Sequence, residues 1–173
     1  SSLAFSLLIN GLCIRGRLLQ AVRLFGACIP SAPSAQIISP LEGVEPDAFS
    51  YNTIVNGLCK IGNTNAAIKL FKKMEQRGVE LDLVTYNAII DSLCKDKVIA
   101  DTFNLFSELK NIAISPNCVT YSSLIHGVCN LGKWKEATKL LNVMVATKFS
   151  ADVSTAEMIF NLLLDGEGLF DAH

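Results

Sequence analysis

The stretch Tyr86-Asn87-Ala88-Ile89-Ile90-Asp91-Ser92-Leu93-Cys94 occurs in four versions along the chain. Tyr51-Asn52-Thr53-Ile54-Val55-Asn56-Gly57-Leu58-Cys59 lies 35 residues before it, and Tyr121-Ser122-Ser123-Leu124-Ile125-His126-Gly127-Val128-Cys129 lies 35 residues after it. Both align without a gap. Phe5-Ser6-Leu7-Leu8-Ile9-Asn10-Gly11-Leu12-Cys13 lies 46 residues before its successor, so 11 residues are inserted. A fixed period of this length marks a repeat architecture, in which each unit is one supersecondary element. The insertion falls between Phe25 and Phe49 in sequence rich in Pro, Ser and Ala, with Pro30, Pro33 and Pro40, and reads as a loop.

Each unit carries two helical patterns. Tyr51, Ile54, Val55 and Leu58 follow the i, i+3, i+4, i+7 spacing of a buried helical stripe, and after Gly62 the residues Ala67, Leu70, Phe71 and Met74 repeat it. The same second stripe recurs as Ala21, Leu24, Phe25 and Cys28, as Thr102, Leu105, Phe106 and Leu109, and as Ala137, Leu140, Leu141 and Met144. Gly16, Gly62 and Gly132 mark one equivalent turn, where the third unit has Lys97. Pro46 and Pro116 recur just before a new first helix. Two short helices cannot bury their apolar faces alone, but stacked pairs can. The expected fold is all-α, a right-handed α-solenoid of helix-turn-helix repeats.

Composition narrows the functional classes. The 173 residues carry 15 basic and 16 acidic side chains, for a net charge of −1, and half of them are apolar. High hydrophobicity with low net charge excludes disorder. A non-specific polycation that binds nucleic acid by counterion release is also excluded, since that mode needs a basic excess. No run of 18 apolar residues is present, so no membrane-spanning helix is expected. Leu3 to Ile14 has the look of a signal-peptide core, but its cations, Arg15 and Arg17, follow it instead of preceding it. The first residue is Ser, and the chain reads as a fragment or a processed form.

The six cysteines (13, 28, 59, 94, 118 and 129) form no C-x-x-C pair, and only His126 and His173 could join them as ligands. No metal or other cofactor is expected. Cys59, Cys94 and Cys129 keep the repeat spacing, and the thiol reads as a small buried apolar group. No nucleophile motif or Gly-rich phosphate loop is visible, so enzymatic activity and a small-molecule substrate are not expected. His126 matches Asn56 and Asp91 in other units and reads as a structural residue, not a general base.

Leu83-Val84-Thr85-Tyr86-Asn87 and Cys118-Val119-Thr120-Tyr121-Ser122, with the L-C-K, A-x-x-L-F-x-x-M and G-x-x-x-D patterns around them, resemble the plain 35-residue class of the pentatricopeptide repeat (PPR) family, and in particular its plant fertility-restorer group. In that family's frame the units are 2–47 with the 11-residue insertion within 26–48, then 48–82, 83–117 and 118–152, and 153–173 as an incomplete fifth repeat or C-terminal cap. The resemblance implies sequence-specific binding of single-stranded RNA, one base per repeat. It assigns base reading to the fifth and last residues of each unit: Ser6 with Asp47, Asn52 with Asp82, Asn87 with Asn117, and Ser122 with Asp152. Asn, Asp and Ser also cap helices, which is the plainer reading of these positions.

The chemistry of the pairs suggests a target. An Asn suits the edge of a pyrimidine, with a neighbouring Asp favouring the N3–H of uracil and a neighbouring Asn the N3 of cytosine. A small Ser leaves room for a purine, and Asp accepts from the N1–H of guanine. The expected preference is 5′-G-U-C-G-3′. The family sandwiches bases between second-position residues, here Leu3, Phe49, Val84 and Val119, followed by Ser154, with core packing the alternative for the valines. Lys60 and Lys95 stand where the family often reaches a phosphate, and both also fit as solvated lysines.

Few phosphate contacts imply affinity near the micromolar range or weaker and a shallow salt dependence. The resemblance further implies an organellar transcript as partner, with mitochondrion ahead of plastid, and a role in RNA processing, stabilisation or translation. A protein- or peptide-binding scaffold and a non-functional PPR fragment remain open, as does self-association through exposed repeat ends.

Overall fold

The computed structural model describes residues 2–27, 45–112, 114–149, 153, 155–157, 160–161 and 164. Most of the insertion, Cys28, Asp152 and Ser154 lie outside these. The described residues form helices α1 (Ser2–Ile14), α2 (Leu18–Ala27), α3 (Ala48–Lys60), α4 (Thr64–Gln76), α5 (Leu83–Lys95), α6 (Ile99–Asn111), α7 (Cys118–Cys129) and α8 (Trp134–Ala146), with no strand among them. Helices α3, α5 and α7 begin 35 residues apart, as do α4, α6 and α8. The fold is all-α, built of helical hairpins. It divides into two compact units, Ser1–Ile89 and Ile90–His173.

Local chemistry sets the hairpins. After each first helix the chain turns through a residue of positive φ: Gly16 (71°), Gly62 (75°), Lys97 (62°) and Gly132 (68°). Glycine enters this region freely, whereas a Cβ makes it unfavourable by about 1 kcal/mol. Lys97 therefore holds the same turn under strain. The next helix is capped in α4 by Asn63, whose side chain accepts from the Ala66 N–H.

In the first unit α3 packs on α1, α2 and α4. Its stripe of Tyr51, Ile54, Val55 and Leu58 is buried as the spacing predicts. The link between successive hairpins is aromatic. Phe25 meets Tyr51 edge-on with centroids 4.8 Å apart, and Phe71 meets Tyr86 the same way at 5.0 Å. The two contacts are equivalent, although one spans the insertion and the other does not. The stacking contact is therefore the same across the longer first repeat as across the 35-residue second. In the second unit Phe106 and Tyr121 repeat the contact at 5.7 Å. Such pairs contribute about 0.5–1.5 kcal/mol each beyond their buried area. The next position carries Ala156, which is exposed, so the ladder ends there.

Helices approach closely where side chains are missing. A Cβ on Gly57 would lie 2.6 Å from Leu18 Cδ1, and one on Gly127 would lie 2.5 Å from Cys94 Sγ. Cys94 and Cys129 are buried, and burial pushes both thiols up to about 11. At neutral pH they are protonated packing groups.

Candidate RNA interface

Two of the proposed pairs, Ser6 with Asp47 and Asn52 with Asp82, meet in space, the last residue capping the next first helix and the fifth residue reaching it from the preceding one. In the first unit of the fold, Asp47 Oδ1 accepts from the Ser50 N–H at 2.9 Å, and Ser6 Oγ donates to the same carboxylate at 2.9 Å. Asp47 falls within the 26–48 range that holds the insertion, and the pair is nevertheless together. Asp82 divides its duties more cleanly. Oδ1 takes the Thr85 N–H at 2.8 Å, and Oδ2 takes Asn52 Nδ2 at 3.0 Å. Capping and pairing are thus simultaneous in one carboxylate.

Asn117 caps α7 in the second unit. Its Oδ1 accepts from the Thr120 N–H at 3.1 Å, while Thr120 Oγ1 accepts from the Asn117 N–H at 3.2 Å, closing a capping box. Asn87 is half-buried on α5. Ser122 is buried on α7, and its partner Asp152 lies outside the described residues.

The pairs differ in what they can present. Ser6 is only 3% exposed, and its hydroxyl also lies 2.8 Å from Ser50 Oγ. The Ser6 hydroxyl bonds the half-buried Asp47 carboxylate. Asn52 is half-buried, and its neighbour Asp82 is exposed.

The second-position residues are not core. Leu3 is 69% exposed, Phe49 52%, Val84 62% and Val119 52%. Each of the first helices α1, α3, α5 and α7 thus exposes an apolar side chain at this one position. Lys60 and Lys95, at the ends of α3 and α5, are both exposed but differ in company. Lys95 Nζ binds Asp91 Oδ2 at 2.6 Å, an i, i+4 pair, whereas Asn56 stands one turn before Lys60. The Asp91 to Lys95 spacing was readable in the sequence and predicts this partial neutralisation.

The buried hydroxyls of Ser50, Thr85, Thr120 and Thr155 were not singled out from sequence, although they recur every 35 residues at the third position. Among the described residues no cluster of three or more His, Cys, Asp or Glu could hold a metal, and no helix is long and apolar enough to cross a membrane.

Comparison with known proteins places this geometry. The chain superposes on the maize pentatricopeptide repeat protein PPR10 with a TM-score of 0.74 at 20% identity, covering 99% of this chain and 24% of PPR10. PPR10 in complex with an 18-nt psaJ RNA element matches with a TM-score of 0.70 at 21% identity, covering 94% of this chain and 22% of that one. The PPR domain of Arabidopsis thaliana protein-only RNase P 1, solved in complex with tRNA, matches with a TM-score of 0.75 at 16% identity, covering 93% and 79%. This chain therefore spans about a quarter of the length of PPR10. No curated protein sequence matches it significantly. The signature of the PPR repeat family matches residues 46–95, 81–130 and 119–165, and that of the PPR repeat itself matches residues 3–27. With matches along most of its length, the chain belongs to the pentatricopeptide repeat family.

Proposed function

We propose that the chain binds single-stranded RNA and reads one base per repeat through its fifth and last residues, with a preference for 5′-G-U-C-G-3′. The observation that carries this reading is the direct bond between Asn52 Nδ2 and Asp82 Oδ2. That bond uses one of the two protons on the amide nitrogen, and the Asn52 carbonyl oxygen is buried. The pair is left with a donor on Asn52 and an acceptor on exposed Asp82. Uracil offers the complement, an N3–H beside a carbonyl oxygen. Cytosine sets its N3 lone pair against the carboxylate and is disfavoured.

Exposed Phe49, Val84 and Val119 are available to press on base faces, where stacking contributes roughly 1–3 kcal/mol per base on an aromatic platform and less on an aliphatic one. Lys60 is the stronger phosphate candidate, because Lys95 is shared with Asp91. The PPR10 and RNase P neighbours were solved with RNA, which supports the same class of partner here. The reading extends to an organellar transcript, in the mitochondrion before the plastid, whose processing, stability or translation the protein serves as fertility-restorer-like proteins do. It also includes self-association through α1, where Leu8 is exposed while its counterparts Ile54, Ile89 and Leu124 are buried. A concentration-independent monomer in size-exclusion chromatography contradicts that part.

The exposed apolar row also suits an extended peptide, which is the competing reading. Binding to RNAs varied at single positions separates the two. Tighter binding of U than C at the second base supports base reading, and equal affinity overturns it.

A further inference from the structure

Three buried oxygens on α3 and α5 are not used by base reading. Asn52 Oδ1, Asn56 Oδ1 and Thr85 Oγ1 are closed off from solvent and have no hydrogen-bond partner among the described residues. Thr85 is 0% exposed. Its counterparts are all engaged. Ser50 Oγ donates to Asp47 and lies 2.8 Å from Ser6 Oγ, Thr120 Oγ1 pairs with Asn117, and Thr155 Oγ1 lies 3.3 Å from His126 Nε2. Native structures rarely leave buried polar atoms unpaired, so these three call for a partner.

The counterparts also locate the neighbours of Thr85. The Ser6 to Ser50 contact sets a fifth residue against the third residue of the next first helix. The His126 to Thr155 contact sets a ninth residue against it. By the same repeat, Thr85 lies between Asn52 and Asn56, which are one turn apart on α3.

The chemistry selects the occupant. Two amide oxygens need a proton each, and the Thr85 hydroxyl proton needs an acceptor. Turning the Asn52 amide is no remedy, because its carbonyl would then face the Asp82 carboxylate. A water molecule balances all three groups: it donates to both amide oxygens and accepts from Thr85. A monovalent cation would satisfy the oxygens but leave the Thr85 proton without an acceptor. We propose that one ordered water occupies this junction, and that Asn56 and Thr85 act through it as positioning residues for the base-reading amide of Asn52. The positioning role rests on the proposed function; the water does not.

A high-resolution crystal structure of the chain, thermal melts and RNA binding test this together. One water within hydrogen-bond distance of the three oxygens is expected, and an empty junction overturns the proposal. Thr85→Val, nearly the same shape, is expected to lower Tm by about 2–4 °C, with Thr85→Ser restoring it. A Tm for Thr85→Val equal to or above the wild type overturns it, since an unpaired hydroxyl would not be missed. Stabilisation by potassium but not by sodium assigns the junction to a cation and overturns the water. In RNA binding, Thr85→Val is expected to reduce the U-over-C ratio at the second base about 3-fold, with Thr85→Ser restoring it and the ratio at the third base unchanged. A lowered Tm with unchanged ratios overturns the positioning role. If the wild type binds no RNA, the positioning role falls with the proposed function, while the crystal structure and melts still decide the water.

Discussion

Asp82 performs two tasks in one carboxylate, and two substitutions separate them. Its Oδ1 caps α5 through the Thr85 N–H at 2.8 Å, and its Oδ2 holds Asn52 Nδ2 at 3.0 Å. Asp82→Asn keeps an oxygen for the cap, because Asn caps as well as Asp. It replaces an acceptor facing the ligand with a donor, which suits the N3 of cytosine in place of the N3–H of uracil. A hydrogen bond to a charged group is worth about 1.5 kcal/mol, which corresponds to roughly a tenfold ratio. Wild type is therefore expected to prefer U over C about tenfold at the second base, and Asp82→Asn, which keeps the cap but loses the bond from Asn52 Nδ2, to shift that preference toward C. Asp82→Ala loses about 1 kcal/mol of capping, lowers Tm by about 2–4 °C, and brings U and C near parity. Fluorescence anisotropy with labelled RNAs differing only at that base, beside thermal melts, reads both effects. If Asp82→Ala lowers Tm but leaves the U-to-C ratio unchanged, Asp82 is a helix cap and nothing more, and the base-reading argument fails.

Other expectations concern packing and strain. Lys97→Gly relieves a left-handed turn at φ 62° and is expected to stabilise the protein by about 1 kcal/mol, seen as a rise in denaturant midpoint. Gly127→Ala drives a Cβ to 2.5 Å from Cys94 Sγ and is expected to lose about 1–2 kcal/mol, whereas Gly11→Ala, with open space at the same repeat position, gains up to about 1 kcal/mol in the same melt. Exposed Cys118 is expected to alkylate first at neutral pH, with Cys94 and Cys129 protected until unfolding, as mass mapping of iodoacetamide adducts will read. Their folded thiols titrate above the ordinary value of 9.0. The stability they contribute is full below that pH and is lost as pH rises toward about 11, so alkaline melts should fall across that window.

Hairpin periodicity was legible because it is written in sterically demanding residues. Tyr51, Ile54, Val55 and Leu58 are buried at the predicted spacing, and Gly16, Gly62 and Gly132 take the positive φ that only glycine adopts freely. Lys97 could be aligned with those glycines, but its strain became visible only in the backbone. The site was legible as a pattern of small polar residues and not as geometry. Spacing alone could not say whether Asp82 caps or pairs, and the structure shows that it does both. Nor could it show that Ser6 is buried beneath Asp47, because burial depends on the neighbouring helix. The third-position hydroxyls escaped notice because Ser and Thr are unremarkable at helix starts until their oxygens are followed individually.

The double variant Asn52→Ala, Asn87→Ala removes the two half-buried amides proposed to read bases while leaving the caps Asp82 and Asn117 in place. Its affinity for a single-stranded RNA carrying 5′-G-U-C-G-3′, measured beside that of the wild type, tests the central claim most directly. The account expects the variant to bind at least tenfold more weakly while melting as a folded protein. Equal retention of that RNA by both proteins would contradict it.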